Sequence, residues 1–334
     1  MKNQRNHVRY CAYRRFLLLY LPVLALALGG CGASAVTAVL QTPSSITQHG
    51  ITPSDPGDIR VMSFNVRTRF IMDGGNHWNH RKTFLCEVIR SFNPDILSTQ
   101  EPDSAQIDYL SKSFPDYSFV GVGRNDGRRS GEMCGVFFKR SRFTRLDEGH
   151  FWLSESPDTP GSRSWGAVFP RVVTWVKLRA NVTGNEFYLF NTHFDAWSSP
   201  VREKSSMLLR ERIARISRGT PVILTGDFNT DEGTTPYQVL TAPRNKSWDV
   251  TLLDTLRAIN PFARHDEGTR HSFNGDTNSG RIDWILVSPA FKTVSAMIDR
   301  SHRGSRYPSD HFPVTAILRW RPNHEAAQRY TLGG

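Results

Sequence analysis

"PVILTGDFN", residues 221–229, is a run of apolar and β-branched residues that ends on Asp227 and Asn229. Such a run reads as a buried strand. Polar groups at the end of a buried strand are costly unless something binds them. Upstream, Ser198 or Ser199 can cap a helix that runs to Arg218, with Leu209, Ile213 and Ile216 at i, i+4 and i+7 and Gly219 as its stop. Before that helix, "RVVTWVKLRA" (171–180) and "EFYLFNTHFD" (186–195) form a hairpin turning around Asn181 to Gly184 and ending on Asn191 and His193.

The same design recurs outward in both directions. "DIRVMSFNVR" (58–67) is a strand ending at Asn65, followed by a helix over 78–92 with Phe84, Val88 and Ile89 on one side. "PDILSTQE" (94–101) ends at Glu101, and Asp103 then caps a helix over 103–114. "YSFVGVG" (117–123) and "GVFFKR" (135–140) are further strands. "RIDWILVS" (281–288) carries Asp283 early, and "FPVTAILRW" (312–320) is preceded by Asp310 and His311, framed by Pro308 and Pro313. Many strands with helices between and around them predict an α/β fold of two packed sheets, with no internal repeat.

One acid after a strand is usually a solvated turn, but six strands that each deliver Asn, Asp, Glu or His form a pattern. Glu and Asp supply hard oxygen ligands that suit Mg²⁺, or Mn²⁺ as the alternative. Zinc is disfavoured, because no closely spaced His/Cys set exists. A carboxylate that activates water, a metal that neutralises developing charge and a His that contacts phosphate are what hydrolysis of a phosphate ester requires.

"SFNVR", "TQE", "NTHFD", "LTGDFNTD", "RIDWILVS" and "SDHFPV", in that order, resemble the endonuclease/exonuclease/phosphatase superfamily, whose fold is deoxyribonuclease I-like. The resemblance spans residues 58–320. It implies a four-layer α/β/β/α sandwich, two mixed sheets face to face with helices outside, and a metal site at one end. Carried over by motif, Glu101 is the principal metal ligand, joined by Asn65 and Asp310, with one or two ions left open. Asp227 would orient or deprotonate the attacking water and Asn229 would position it. His311 would contact the phosphoryl oxygen, oriented by Asp283. His193 would stabilise the transition state or protonate the leaving oxygen. Every core position is filled, which implies an active enzyme. The segment Ile282-Asp283-Trp284 departs from the Cys-Asp-Arg of inositol polyphosphate 5-phosphatases. The motifs look nearer the deadenylase-like and bacterial branches.

Candidates for the pocket wall are less patterned. Arg124, Arg128 and Arg129 lie in a Gly-rich loop (121–138), and Trp152, Arg163 and Trp165 lie in 149–166. Of these Arg124 and Arg163, with Asn191, are the candidate substrate-binding residues. Each loop can equally be a solvated turn or hold a core aromatic.

The 334-residue chain has 38% hydrophobic and 22% charged residues and a net charge of +11. Residues 1–30 hold five bases and no acid, so the remainder carries 37 bases against 31 acids. That mild excess suits a phosphate-bearing substrate without calling for nucleic acid. "RRFLLLYLPVLALALGGC" (14–31) reads as a signal peptide whose lipobox ends at Cys31, the lipidation site. Residues 31–57 read as a flexible tether and 321–334 as a polar tail. The expectation is an exported, monomeric enzyme, lipid-anchored to the bacterial cell envelope, with secretion as the alternative. Its substrate would be a phosphate mono- or diester. The alternatives are a nonspecific surface nuclease and a binding module that uses the pocket without turnover. Cys86 and Cys134 read as buried free thiols rather than a disulfide.

Overall fold

The computed structural model describes residues 44–45, 55–243 and 250–322. The signal segment with Cys31, most of the tether and nearly all of the polar tail lie outside the described residues. Ser44 and Ser45, assigned to the tether, pair antiparallel with Arg303 and His302. No described helix is long and apolar enough to cross a membrane.

The strands are β1 (Ile59–Asn65), β2 (Ile96–Gln100), β3 (Tyr117–Val120), β4 (Gly135–Lys139), β5 (Phe143–Trp152), β6 (Val172–Ala180), β7 (Glu186–His193) and β8 (Val222–Asp227). They continue with β9 (Leu253–Asp254), β10 (Asp283–Val287), β11 (Phe291–Ile298) and β12 (Val314–Trp320). The helices are α1 (Trp78–Phe92), α2 (Ser104–Ser113), α3 (Ser199–Ser217), α4 (Thr235–Thr241) and α5 (Thr255–Ile259). Two six-stranded sheets form, in the orders β9-β10-β8-β7-β6-β5 and β11-β12-β1-β2-β4-β3.

Each of these sheets contains one parallel pair among otherwise antiparallel neighbours. β1 runs parallel to β2 with α1 as the crossover, and β7 runs parallel to β8 with α3 as the crossover. Parallel neighbours end on the same side, so Asn65 lies beside Gln100, and His193 beside Asp227.

The two-residue pleat sorts the side chains into layers. Ile59, Val61, Ile96, Leu189, Ile223, Ile285 and Val287 point between the sheets. Met62, Phe64 and Leu97 pack outward against Leu85 and Ile89 of α1 and Ile107 and Leu110 of α2. Phe190, Leu224 and Trp284 pack outward against Leu209 and Ile213 of α3. The expected four-layer α/β/β/α sandwich is therefore observed.

Continuing the inward series by twos from those apolar residues reaches Asn65 on β1, Gln100 on β2, Asn191 and His193 on β7, and Thr225 and Asp227 on β8. The inter-sheet core thus turns polar toward the ends of the parallel pairs. Gly226 allows β8 to lie close to β7, since a Cβ there would stand 2.6 Å from the Thr192 carbonyl oxygen.

Besides the two-residue β9, two strands went unread in the sequence, β5 and β11. Both are edge strands, both carry a β-bulge, and β5 presents Arg145, Asp147 and Glu148 to solvent, which masks the alternation. Gly149 to Trp152 accordingly belong to β5 and not to a loop. Cys86 and Cys134 are free and buried, and burial pushes the Cys134 thiol up to about 12.

The helix starts follow the expected chemistry. Ser198 caps α3 and Arg218 closes it in the left-handed conformation. Asp103 forms a capping box on α2, accepting from Gln106 N at 2.9 Å while Gln106 Oε1 accepts from Asp103 N at 3.3 Å. Asp103 also pairs with Arg69. Asp103→Ala is expected to destabilise the fold by about 1–2 kcal/mol, read as a lower urea midpoint. An unchanged midpoint would remove the cap from the list of stabilising contacts.

Candidate active site

Asn65 lies at the centre of the polar end. Its Nδ2 donates to Glu101 Oε1 at 3.0 Å and to Asp227 Oδ2 at 2.9 Å, tying the two sheets together. Its Oδ1 accepts from Arg67 N at 3.0 Å. As placed, Asn65 bridges two carboxylates, and the oxygen that would serve a metal faces a backbone N–H. Glu101 follows β2 with φ 70°, a left-handed conformation that costs a non-glycine residue about 1–3 kcal/mol. That conformation brings the carboxylate to the N–H of Thr68, which donates to Oε2 at 3.0 Å.

Asp227 accepts from Asn229 N at 2.9 Å, and Asn229 is held in the left-handed region at φ 50°. The Asn229 amide donates to Phe194 O at 3.1 Å, which fixes its orientation, and its Nδ2 lies 2.9 Å from His193 Nε2. On the other side of Asp227, antiparallel pairing of β10 with β8 puts Asp283 directly opposite. Asp283 Oδ2 stands 2.8 Å from His311 Nδ1, leaving His311 Nε2 facing Asp227 Oδ2 at 3.8 Å. Asp310 lies 3.5 Å from Arg67 Nη1, and Ser309 Oγ donates to Asn65 O at 2.6 Å. Asn65, Glu101, His193, Asp227, Asn229, Asp283, Asp310 and His311 are thus brought together, as the motifs implied.

The electrostatics divide these groups. Burial would raise the Glu101 carboxyl, but the bonds from Asn65 and Thr68 hold it below its ordinary value. Burial and then the charge of Asp283 push Asp227 up to about 7. Burial and the charge of Glu101 raise Asp310, against the pull of His311. Burial, with Arg171 and Arg124 nearby, lowers His193 well below its usual range. Burial would lower His311 too, but Asp283 and Asp227 overcome it and raise the imidazole to about 10. At neutral pH one histidine is neutral and the other is a cation.

Four buried or half-buried carboxylates crowd one centre, where Asp283 raises Asp227 and Glu101 raises Asp310, which is the environment a divalent cation relieves. Two sets of ligand atoms cluster, Glu101 with His193 and Asp227, and Asp227 with Asp283 and His311. The oxygen-rich donor set fits Mg²⁺ or Mn²⁺.

The candidate substrate-binding residues fare differently. Arg124 reaches the centre, lining a pocket with Glu101 and His193. Trp152 Nε1 donates to Arg124 O at 2.6 Å, so the aromatic supports this loop from within the core. Arg163 is exposed, and its guanidinium donates to Val168 O at 2.6 Å, a local loop contact that involves no residue of the centre. Asn191 is a correction. It is 0% exposed, its amide donates to Thr99 O and Gly135 O of the opposite sheet, and its oxygen accepts from Gln100 and Thr225. It lies two residues before His193 on the same inward face, one pleat deeper, and joins the sheets beneath the site.

Two arginines were missed. Arg81 is buried and donates to the carbonyls of Asn76, Val66, Arg67 and Pro308, holding the loop after β1 against the segment that leads into Asp310. Arg171 lines the same pocket as Arg124.

Residues 62–311 match the endonuclease/exonuclease/phosphatase family over the stretch that holds every one of these centre residues. The chain belongs to that family. It is a metal-dependent hydrolase of phosphate ester bonds. It is 28% identical over 253 residues to an uncharacterised protein of Acanthamoeba polyphaga mimivirus, covering 72% of this chain and 92% of that one. It is 23% identical over 334 residues to nocturnin of Drosophila melanogaster, 84% of this chain but only half the length of nocturnin. Among solved structures, a mannosyl-6-phosphatase of Bacteroides thetaiotaomicron superposes with a TM-score of 0.69 at 32% identity, covering 78% of this chain and 100% of that one.

Proposed function

We propose that this family member is a Mg²⁺-dependent phosphoesterase that hydrolyses its substrate by in-line attack of water. The observation that carries the reading is the position of Asp227 between Asn65, Asn229 and His193 on one side and the Asp283–His311 pair on the other. Asp227, raised toward neutrality, takes the proton of the attacking water, which Asn229 helps to place. The water oxygen bonds to phosphorus as the bond to the leaving oxygen breaks. His311, charged and held by Asp283, donates from Nε2 to a phosphoryl oxygen as charge develops there. The leaving oxygen takes its proton from solvent. His193 is neutral and its Nε2 accepts from Asn229, so it has no proton to give at that nitrogen; it holds Asn229 in place. Glu101 and Asp310, with the Asn65 oxygen if its amide turns, would hold the cation. When bound, the cation neutralises the crowded carboxylates and the developing phosphoryl charge.

The likeness to the mannosyl-6-phosphatase supports a phosphomonoester substrate, such as a sugar phosphate. In this reading the enzyme is exported and tethered to the envelope through Cys31, where such substrates are within reach. The test is product release by the full chain from p-nitrophenyl phosphate and from bis(p-nitrophenyl) phosphate, with Mg²⁺ and then with chelator. Chelation is expected to cost about 10³-fold or more, restored by Mg²⁺. Metal-independent turnover, or none on either ester, would sink the reading.

A further inference from the structure

Arg171 immediately precedes β6, is 5% exposed, and has no hydrogen-bond partner at Nε or Nη1. Its pocket is lined also by Glu101 and His193 of the centre and by Arg124, Glu132, Cys134 and Val172. The second guanidinium there is already paired, since Arg124 Nη1 lies 2.5 Å from Glu132 Oε2 and its plane sits over the Phe169 ring. Arg171 has no ion pair among the described residues. A buried guanidinium is normally matched by acceptors, because its donors lose water on burial. Here two of its nitrogens, Nε and Nη1, lack an acceptor in a residue that lines a pocket together with Glu101 and His193.

The chemistry of the substrate supplies one. A phosphomonoester carries up to two negative charges on three terminal oxygens, whereas a diester carries one on two. Beside the metal and His311, which offset the charge of Glu101, Asp227, Asp283 and Asp310, a further guanidinium near the phosphoryl group favours the more highly charged monoester. The pocket beside Arg171 is about the size of one water molecule. A space of that size takes a single oxygen. Arg supplies parallel N–H donors that suit phosphate oxygens.

We propose that Arg171 is a specificity-determining residue that binds a terminal oxygen of a phosphomonoester and so favours monoesters over diesters. This rests on the hydrolase reading above and adds to it the residue that selects the substrate class.

The test compares wild type, Arg171→Met and Arg171→Lys in the full chain with Mg²⁺, on p-nitrophenyl phosphate and bis(p-nitrophenyl) phosphate. Inhibition by inorganic phosphate is measured alongside. For Arg171→Met the expected result is a fall of about 100-fold in kcat/KM on the monoester and less than about 3-fold on the diester, with phosphate inhibition weakened in parallel. Arg171→Lys keeps the charge and is expected to fall between. Equal losses on both esters, no loss on either, or a wild type that prefers the diester would overturn the assignment. If the Met variant melts early, the Lys variant decides by the same ratio. If wild type turns over neither ester, the hydrolase reading fails. Calorimetric binding of inorganic phosphate to wild type and to the variants then still tests Arg171, and unchanged binding counts against it.

Discussion

Asp227→Asn is expected to lower kcat by about 10⁴-fold with little change in KM. The substitution keeps the shape of the side chain and the bond that Asn229 N makes to Oδ1 at 2.9 Å, and it sets the new amide against Asn65 Nδ2, so the Asn65 amide must turn for its oxygen to accept. It removes the lone pair that would receive the proton of water. Stability should move the other way. The fold raises Asp227 from 3.8 to about 7, through burial first and Asp283 next. A raised group contributes stability that is complete below its unfolded value, here about pH 4, and is lost as pH rises through about 7. Asparagine carries no charge at any of these pH values. Without metal, the variant should therefore melt at or above the wild-type temperature at pH 8, and the advantage should vanish by pH 4. Single-turnover rates and thermal melts at the two pH values check both halves. A fall in kcat of less than about 10-fold would assign the base to another residue.

The pairing of an inactive but sturdy variant is the expected mark of a site in which function holds like charges together. It also fits the architecture. Two strand–helix–strand units, β1-α1-β2 and β7-α3-β8, present the ends of their parallel pairs to each other across the inter-sheet core. Each pair can place polar groups at its mouth because the rest of the layer is apolar and fixes the register. Asn65 then ties one unit to the other through Glu101 and Asp227.

Much of this was legible because it is local. A strand that ends in a polar residue shows itself in a few positions, so Asn65, Glu101, His193, Asp227 and Asp283 could be read one strand at a time. The caps at Asp103 and Ser198 were legible for the same reason. Asn191 misled because its place in "NTH" is two residues from His193, and only the pleat and the opposite sheet show it to be a structural bridge. Arg81 and Arg171 were illegible for a different reason. Arg81 matters through Pro308, 227 positions away, and Arg171 through what its guanidinium lacks. Neither relation leaves a trace in spacing. The edge strands β5 and β11 were lost because solvent sets the composition of one face and a bulge breaks the period.

The Asp283–His311 pair yields the second large effect. His311→Ala is expected to reduce kcat by about 10³-fold, the scale on which a charged donor at a developing oxyanion acts. Asp283→Asn keeps the imidazole and tests what the carboxylate does to it. Burial would depress the imidazole, yet Asp283 and then Asp227 raise it from 6.5 to about 10. The stability from this raised group is fully present below about pH 6.5 and is lost as pH rises through about 10. Asp283→Asn removes the largest of the raising charges. It should therefore lose stability at neutral pH, and the alkaline limb of its pH–rate profile should move from near 10 toward neutrality. Below that shifted limb the variant should recover much of its rate relative to wild type. A residue that only packed the site would lower the rate equally at all pH values. Profiles of kcat for wild type and Asp283→Asn between pH 5 and pH 10.5 distinguish the two, and an alkaline limb that stays in place would mean that Asp283 does not set the charge on His311.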